Sequence, residues 1–250
     1  MNGNKLISEK PLYVHDPVIH NFSAARQILP YIFKLKPIKS IIDVGCGTGT
    51  WLSVAKELGV EEILGVDGVE LDQKDLKIPS SNFINTNLTQ AFNLNKKFDL
   101  LICLEVAEHL PENSAKTLID TLTSHSDFIL FSAAIPEQGG QNHINEQWPE
   151  YWLNLFRTQG YFPCNILRDE FWDNKEIEWW YKQNIMIYGT KSILLSLNLP
   201  ISEKIHPIIH PSLFKEKLEK INELNLFIKK EVWNPSLKRS LISLYKSIFK

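Results

Sequence analysis

The chain has 250 residues, of which 44% are hydrophobic and 22% are charged, and its formal net charge is −2. This length suits one well-buried domain with a short addition. The sequence contains no run approaching the roughly 20 apolar residues that span a membrane, so we expect no membrane span. The small net charge is not typical of nucleic-acid binders, which usually carry a basic face, so we expect no nucleic-acid partner.

The cysteines and the start of the chain bear on the cellular compartment. Cys46, Cys103 and Cys164 form no CxxC pair, so their spacing indicates neither a disulfide framework nor a structural zinc site. Residues 1–20 are treated as a separate N-terminal segment. Its first ten residues are polar and contain no apolar stretch before a cleavage site, which predicts no secretory signal and a cytoplasmic location.

Helical and strand patterns alternate through most of the chain. Apolar residues at helical spacing predict a first helix at residues 21–35, and short β-branched runs closed by glycine predict buried strands. We predict seven strands, at residues 40–44, 62–66, 82–86, 98–104, 128–135, 162–167 and 184–188, with further helices at 51–58, 113–125 and 149–160. This alternation predicts an α/β fold with a doubly wound, seven-stranded, mostly parallel sheet.

Residues 191–250 are predicted to form a C-terminal loop and helical extension. A proline-punctuated loop precedes Lys-rich helical patterns at residues 213–232 and 236–249. The last helix has one apolar stripe flanked by basic side chains, formed by Leu237, Leu241, Leu244, Tyr245 and Ile248. This stripe can dock on the body of the protein, pair with a second subunit in a homodimer, or lie on a membrane surface. We favour docking.

A glycine-rich string, Asp43-Val44-Gly45-Cys46-Gly47-Thr48-Gly49, joins the first predicted strand to the next helix. At such a junction an open α/β sheet presents backbone N–H groups to a ligand, and glycine permits close approach. Asp67 ends the second strand, where a carboxylate can bind ribose hydroxyls. Together these features predict a nucleoside cofactor. The even glycine spacing differs from the GxGxxG of dinucleotide folds, and Asp43 suits a cationic amino group better than a phosphate.

These motifs, followed by Phe98-Asp99-Leu100-Leu101 and Glu105-Val106-Ala107-Glu108-His109-Leu110, resemble those of class I S-adenosylmethionine-dependent methyltransferases over residues 21–189. The resemblance implies a methyltransferase domain at residues 21–190 with S-adenosylmethionine as its cofactor. It implies that Gly45, Gly47 and Gly49 face the amino-acid portion of the cofactor and that Asp67 binds its ribose. Asp43 is expected to orient the first loop.

The same resemblance assigns the other cofactor contacts. Gly68 and Val69 are expected to cover the adenine. Asn87 and Leu88 stand where the family usually has an Asp-Leu pair, and the Asn87 oxygen can still accept from the adenine amino group. Two residues that end the fourth strand, Leu104 and Glu105, are expected beside the sulfonium. The Glu105 carboxylate either holds the methionine amine or complements the dipole of a helix that starts there.

Residues 136–148 leave the fifth strand at the ligand edge and combine a glycine pair with His143, Glu146 and several amides. The string resembles a subgroup of these methyltransferases that modify sugars and secondary metabolites. We expect a loop that closes over the cofactor, with His143 as the first candidate for general base. His109 is the second, on one face of a helical turn with Glu105. Either histidine can instead be structural. His143 and Glu146 have metal-ligand spacing, but no third ligand is evident, so we predict no metal.

Aromatic and polar side chains around this loop are candidates for acceptor binding. We assign Asn142, Glu146, Tyr151 and Trp180 to the acceptor and expect most of the other aromatic residues to be core. The resulting hypothesis is methyl transfer to a small molecule, with the hydroxyl of a sugar or metabolite in a biosynthetic pathway favoured. The alternatives are an RNA or protein methyltransferase and a catalytically silent protein that binds S-adenosylmethionine.

Overall fold

The computed structural model describes residues 21–232 and 235–248. The predicted N-terminal segment at residues 1–20 and the last residue of the final predicted helix, Phe249, lie outside the described residues. Seven strands form one sheet: β1 (Ser40–Val44), β2 (Glu62–Asp67), β3 (Phe83–Asn85), β4 (Leu100–Leu104), β5 (Phe128–Ser132), β6 (Tyr161–Cys164) and β7 (Met186–Thr190).

The strand order is β3-β2-β1-β4-β5-β7-β6. All neighbouring pairs are parallel except those of β7, which runs antiparallel to both β5 and β6. The predicted seven-stranded, mostly parallel sheet is therefore confirmed. Because β1 and β4 are central neighbours in this order, their carboxyl ends lie side by side, where an open α/β sheet binds its ligands.

The described residues also form α-helices. They are α1 (Ser23–Leu35), α2 (Thr50–Glu57), α3 (Ala115–His125), α4 (Pro149–Thr158), α5 (Ile166–Phe171), α6 (Trp179–Asn184), α7 (Lys191–Ser196), α8 (Pro211–Phe227) and α9 (Pro235–Ile248). A π-helical turn, Ile228–Val232, follows α8. The predicted helix at residues 213–232 thus corresponds to α8 and this turn, and the one at 236–249 corresponds to α9.

The centre of the sheet is buried on both faces. Successive residues of a strand point to opposite faces, and Ile41 of β1 belongs to one apolar cluster while Ile42 belongs to the other. Leu100 and Leu101 of β4 divide in the same way. Residues of α1, α2, α5 and α7 complete the first cluster, and residues of α3 and α4 complete the second. This burial explains why the central strands read as continuous apolar runs.

Two strand predictions near the end of the sheet were wrong at their boundaries. The strand predicted at residues 162–167 ends at Cys164, and α5 begins at Ile166. Its proline, Pro163, is tolerated because β6 is an edge strand and needs fewer backbone donors. The strand predicted at residues 184–188 begins instead at Met186, because Asn184 is the last residue of α6.

Other boundaries differ by a few residues. The fifth strand ends at Ser132 rather than at residue 135, although Ala133 and Ile135 remain buried. A short 3₁₀ turn, Glu112–Ser114, precedes α3, so the helix predicted at residues 113–125 begins instead at Ala115. The remaining predicted helices correspond to α1, α2 and α4 with small shifts at their ends.

The chain divides into two compact units, the first ending at Ile208 and the second beginning at Ile209. The first unit contains the sheet, and the second contains α8 and α9. Among the described helices, none combines the length and the hydropathy that are needed to cross a bilayer. Docking or dimerisation through the last helix stays a prediction.

Asp99 connects the amino ends of β1 and β4 through hydrogen bonds. One of its carboxylate oxygens accepts hydrogen bonds from the backbone N–H groups of Lys39 and Ser40, at 2.9 and 3.0 Å, and the other lies 3.4 Å from Nζ of Lys36. Partial burial raises the pKa of Asp99, but these partners outweigh it and hold the pKa below its ordinary value. This acid of the fourth motif therefore lies at the opposite end of its strand from the ligand edge.

Replacing Asp99 with asparagine should lower the free energy of unfolding by about 1 kcal/mol, because the ionised acceptor is lost at a partly exposed position. A carboxylate whose folded pKa is depressed stabilises above its unfolded pKa of about 3.9 and loses that effect as pH falls through the lower folded value. Urea denaturation should therefore show a constant difference between parent and Asp99→Asn from pH 8 to 5, which shrinks below about pH 4. A difference that grows on acidification would contradict this assignment.

Candidate functional site

The turn after β1 brings backbone amides to the carboxyl edge of the sheet. Gly45, Gly47 and Gly49 all have positive φ, at 81°, 53° and 85°, a conformation that other residues rarely adopt. Gly49 precedes the first residue of α2. The N–H groups of Gly45 and Cys46 donate to the carbonyl of Val66 in β2, at 2.7 and 3.2 Å. The sequence-predicted glycines thus form one tight loop between two strand ends.

The first of these glycines permits a close contact with the segment that follows β4. A Cβ added to Gly45 would lie 2.2 Å from a methyl carbon of Val106 and 3.0 Å from its Cβ. Side-chain rotation cannot relieve a contact that involves the Cβ of the neighbour. The chain after β4 therefore packs directly on the glycine loop, and the two segments share the ligand edge.

Asp67 ends β2 and binds this loop. Its Oδ2 accepts from the N–H of Gly47 at 2.7 Å, and its Oδ1 accepts from the N–H of Val69 at 2.8 Å. Asp43, the fourth residue of β1, is only 3% exposed. Burial, and then the charge of Asp67, raises the pKa of Asp43 well above its ordinary value. Two carboxylates thus lie close together at the ends of neighbouring strands.

The predicted adenine contacts lie beyond Asp67. A Cβ on Gly68 would meet Leu88 at 3.8 Å, an ordinary van der Waals distance, so these two residues are neighbours. The Oδ1 atom of Asn87 accepts from the N–H of Thr89 at 2.9 Å and from its hydroxyl at 2.7 Å. The adenine contact of Asn87 stays a prediction, and its amide oxygen would have to add it to these two bonds.

Glu105 follows β4 in a left-handed conformation, with φ of 53°. Its carboxylate accepts from the side-chain amides of Gln138, at 3.1 Å, and Asn184, at 3.1 and 3.3 Å. Gln183 also donates to the Gln138 oxygen at 3.1 Å. Burial raises the pKa of Glu105, although these donors and Ser132 lower it in part. The side-chain amides at residues 138–147 and 183–184 are visible in the sequence. Their convergence on Glu105 depends on the fold and could not be predicted from the sequence.

The helical turn predicted to carry Glu105 and His109 on one face was wrong. Only a short 3₁₀ turn, Ala107–His109, forms after β4, and Glu105 precedes it. No helix begins at Glu105, so the reading in which its charge complements a helix dipole is not supported. Leu104, by contrast, lies as predicted at the carboxyl end of β4, where it is buried.

The two candidate catalytic histidines meet although they belong to different loops. The imidazole rings of His109 and His143 are 4.8 Å apart between centroids and nearly perpendicular. Nδ1 of His143 lies 2.8 Å from Oε1 of Glu146, which also accepts from the N–H of Gly139 at 2.7 Å. A Cβ on Gly140 would lie 2.3 Å from Nε2 of His143. The second glycine of the predicted hinge therefore makes room for the imidazole.

Glu108 lies beneath these rings as a fully buried acid. Neither oxygen of its carboxylate has a hydrogen-bond partner of adequate distance and angle among the described residues. Burial, and then the charge of Glu105, raises the pKa of Glu108 well above its ordinary value, more than nearby backbone N–H groups lower it. The Glu108 carbonyl accepts from the N–H groups of Ile144 and Asn145, at 2.9 and 3.0 Å. This pair of bonds holds the loop at residues 136–148 against the segment after β4.

The residues that the sequence assigns to the acceptor differ in their surroundings. Asn142 is exposed with φ of 56°, Tyr151 packs perpendicular to the core residue Trp152 with centroids 5.0 Å apart, and Trp180 contacts Trp179 and Tyr181. Tyr181 is one of the aromatic residues for which the sequence predicted no specific role, and its ring centroid lies 5.6 Å from that of Trp51. Burial, and then the charge of Glu105, raises the pKa of Tyr181. The Tyr181 hydroxyl therefore stays protonated at neutral pH.

Comparison with known families gives one match over most of the chain. A family described as "Methyltransferase domain" matches residues 18–184. The chain belongs to this methyltransferase family. The matched range contains β1 to β6, the glycine loop and the histidine pair, and it ends within the amide network around Glu105.

Individual relatives are more distant from this methyltransferase. The mitochondrial ubiquinone biosynthesis O-methyltransferase of Dictyostelium discoideum is 24% identical over 168 residues, which are 58% of this chain and 49% of that protein. The ribosomal protein L11 methyltransferase of Fusobacterium nucleatum is 29% identical over 111 residues, which are 40% of this chain and 34% of that protein. The chain thus aligns with less than half the length of these curated relatives.

A solved structure shows the same fold. It is that of S-adenosylmethionine-bound CalS10, described as an amino pentose methyltransferase of Micromonospora echinaspora involved in calicheamicin biosynthesis. The TM-score is 0.51 at 13% identity, and the match covers 72% of this chain and 99% of that one.

The close approach of Gly45 to Val106 predicts the effect of a side chain at position 45 on stability, and Gly59 serves as the control. Gly45→Ala should lower the free energy of unfolding by about 2–4 kcal/mol, because positive φ and overlap with Val106 both act. Gly59 has φ of 94°, but a Cβ there would meet nothing within 4 Å. Gly59→Ala should therefore cost only the backbone strain, about 1–2 kcal/mol. Equal losses for the two variants, measured by urea denaturation, would show that the contact with Val106 is unimportant.

Proposed function

We propose that this methyltransferase transfers a methyl group from S-adenosylmethionine to a small-molecule acceptor, with an oxygen acceptor favoured. The single observation that carries this proposal is the glycine loop joined to Asp67 at the carboxyl edge of β1 and β2, within a chain that belongs to a methyltransferase family. Nucleoside cofactors bind at this edge of open α/β sheets.

The residues at this edge fit the proposed cofactor. The loop contains three glycines with positive φ, a conformation that lets the backbone turn tightly at this edge. Asp67 is held by two backbone donors, which fixes its carboxylate in place, and a carboxylate can accept several hydrogen bonds in all. Asp43 and Glu105 supply further acceptors for a cationic ligand. When bound, S-adenosylmethionine would supply a methyl group activated by its sulfonium.

The protein's own contribution is mainly to position the reactants, because methyl transfer from a sulfonium is a displacement that needs alignment. Glu105 is oriented by Gln138 and Asn184, and we assign it to the amino-acid portion of the cofactor. Tyr181 is added to the predicted acceptor-side residues, because its ring contacts that of Trp180 and the charge of Glu105 raises its pKa. His143 is the proposed acceptor-side catalytic residue, and its Nδ1 is oriented by Glu146.

The choice of a small acceptor rests on the loop at residues 136–148. Backbone bonds to Glu108 and Ala134 hold this loop on the acceptor side of the edge, which restricts the approach of a bulky substrate. The relatives include both kinds of enzyme, since one is described by ubiquinone biosynthesis and another by a ribosomal protein. The structural neighbour is described as acting on an amino pentose.

Cofactor binding is tested by calorimetry with S-adenosylmethionine and its demethylated product. Asp67→Ala should weaken binding by roughly 10–100-fold, because it removes ribose acceptors and the anchor of Gly47. Asp72 is the matched control, since its partner is the exposed Lys74 at 3.0 Å. Asp72→Ala should bind like the parent. A parent that does not bind the cofactor, or an Asp67 variant of unchanged affinity, would refute this site.

Acceptor class is tested by supplying S-adenosylmethionine with a labelled methyl group. Sugars, sugar nucleotides and catechols form one pool, and ribosomal RNA and ribosomal proteins form the other. We expect label in the small-molecule pool. Label only in the macromolecular pool would overturn the small-acceptor proposal, and cofactor binding without transfer to either pool would favour the catalytically silent alternative.

Once an acceptor is found, His143→Ala should lower turnover by roughly 10²–10⁴-fold with little change in cofactor affinity. The control is His206→Ala, at an exposed histidine that contributes only its backbone oxygen to a bond with Arg168. This control should keep parent turnover. Near-parent turnover of the His143 variant would make this histidine structural and leave His109 as the remaining candidate.

A further inference from the structure

The sequence around His143 shows no third metal ligand beside His143 and Glu146, but the fold brings two other candidate ligands to His143. Glu108, His109 and His143 each offer one ligating atom, and these atoms all lie within 4.8 Å of one another. Two of the residues follow β4 and the third lies in the loop after β5, so no sequence spacing could indicate the cluster. We infer that Glu108, His109 and His143 form a binding site for one divalent transition-metal ion.

The first support is the state of Glu108. Its carboxylate is completely buried, and neither of its oxygens has a hydrogen-bond partner of good geometry in the described chain. A buried polar group without partners destabilises the fold, and it does so more strongly when it is charged. A cation bound between Glu108 and the two imidazoles would satisfy this carboxylate.

The second support is the orientation of His143. Its Nδ1 atom contacts the carboxylate of Glu146 at 2.8 Å, and Gly139 holds that carboxylate in turn. Metal-binding histidines commonly donate one ring N–H to a carboxylate, which fixes the tautomer and leaves the other nitrogen for the metal. Glu146 thus assigns metal binding to Nε2 of His143. The i, i+3 pair noted in the sequence then consists of one ligand and the residue that orients it.

The donor set selects the class of ion. Two imidazoles and one carboxylate are the ligands of several catalytic zinc sites, in which a fourth position stays open to water or substrate. Imidazole favours zinc, iron, nickel or copper, whereas magnesium prefers oxygen ligands. Metal bonds of about 2.0–2.2 Å place the ligand atoms roughly 3–4 Å apart, so small side-chain rotations would draw the cluster together.

The location gives the ion a role that rests on the proposed function. The cluster lies where the loop at residues 136–148 meets the segment after β4, on the proposed acceptor side. The open coordination position would hold the acceptor oxygen next to the methyl donor. In this arrangement His143 acts as a ligand, which replaces the role of general base that the sequence suggested.

The site is tested with Co²⁺, whose visible absorption reports its coordination, and with Zn²⁺ by calorimetry, using the full chain freed of metal by a chelator. We expect one saturable Co²⁺ per chain. Glu108→Gln, His109→Ala and His143→Ala should each weaken binding on the order of 100-fold or more, and Glu146→Gln should weaken it about 10–100-fold. His206→Ala should bind like the parent.

Folding and cofactor binding are measured on the same variants. Glu108→Gln keeps the shape of the side chain and replaces its carboxyl group with a neutral amide, so it should fold like the parent. No saturable Co²⁺ in the parent, or unchanged affinity in Glu108→Gln, would overturn the inferred metal site. A parent that binds S-adenosylmethionine but no Co²⁺ refutes this inference alone, and one that binds Co²⁺ but no S-adenosylmethionine refutes the proposed function alone.

Discussion

The arrangement of this methyltransferase depends on the close approach of the glycine loop to the segment after β4. A side chain at Gly45 would overlap Val106, so only glycine lets the carboxyl ends of β1 and β4 share one compact edge. Asp67 extends the contact to β2 by holding the N–H of Gly47. The chain after Val106 then reaches Glu108, whose carbonyl anchors the loop at residues 136–148. This contact and the hydrogen bonds around it therefore connect the glycine loop, Asp67 and the loop at residues 136–148.

The same edge of the sheet carries several buried acidic side chains. Burial and mutual repulsion raise the pKa of Asp43 beside Asp67, and of Glu108 beside Glu105. Carboxylates gathered out of water in this way are costly unless a cation or hydrogen-bond donors compensate them. Amide donors compensate Glu105, whereas no described hydrogen bond compensates Glu108. The site thus suits positively charged ligands, which a sulfonium, an amino group and a metal ion all are.

The sequence predicted the features that depend on local pattern. Short apolar and β-branched runs predicted seven strands, and the central strands are rich in apolar residues because both faces of the sheet are buried there. The glycine loop and Asp67 were found from their spacing. The remaining features depend on tertiary packing, which the local sequence pattern does not show. The edge position of β6 and the helix α6 before β7 set boundaries that no local pattern shows. The meeting of His109 with His143 joins two loops through the order of β4 and β5, so it could not be read from either segment.

The central claim is that S-adenosylmethionine binds at the carboxyl edge of β1 and β2, and hydrogen–deuterium exchange tests it most directly. Adding the demethylated product, S-adenosylhomocysteine, should slow exchange at the amides of residues 45–50 and 67–69, because a ligand there excludes water and restricts local opening. Amides of α8, in the second compact unit, should exchange as before. Unchanged exchange in both ranges at saturating ligand, or protection confined to other segments, would contradict the account.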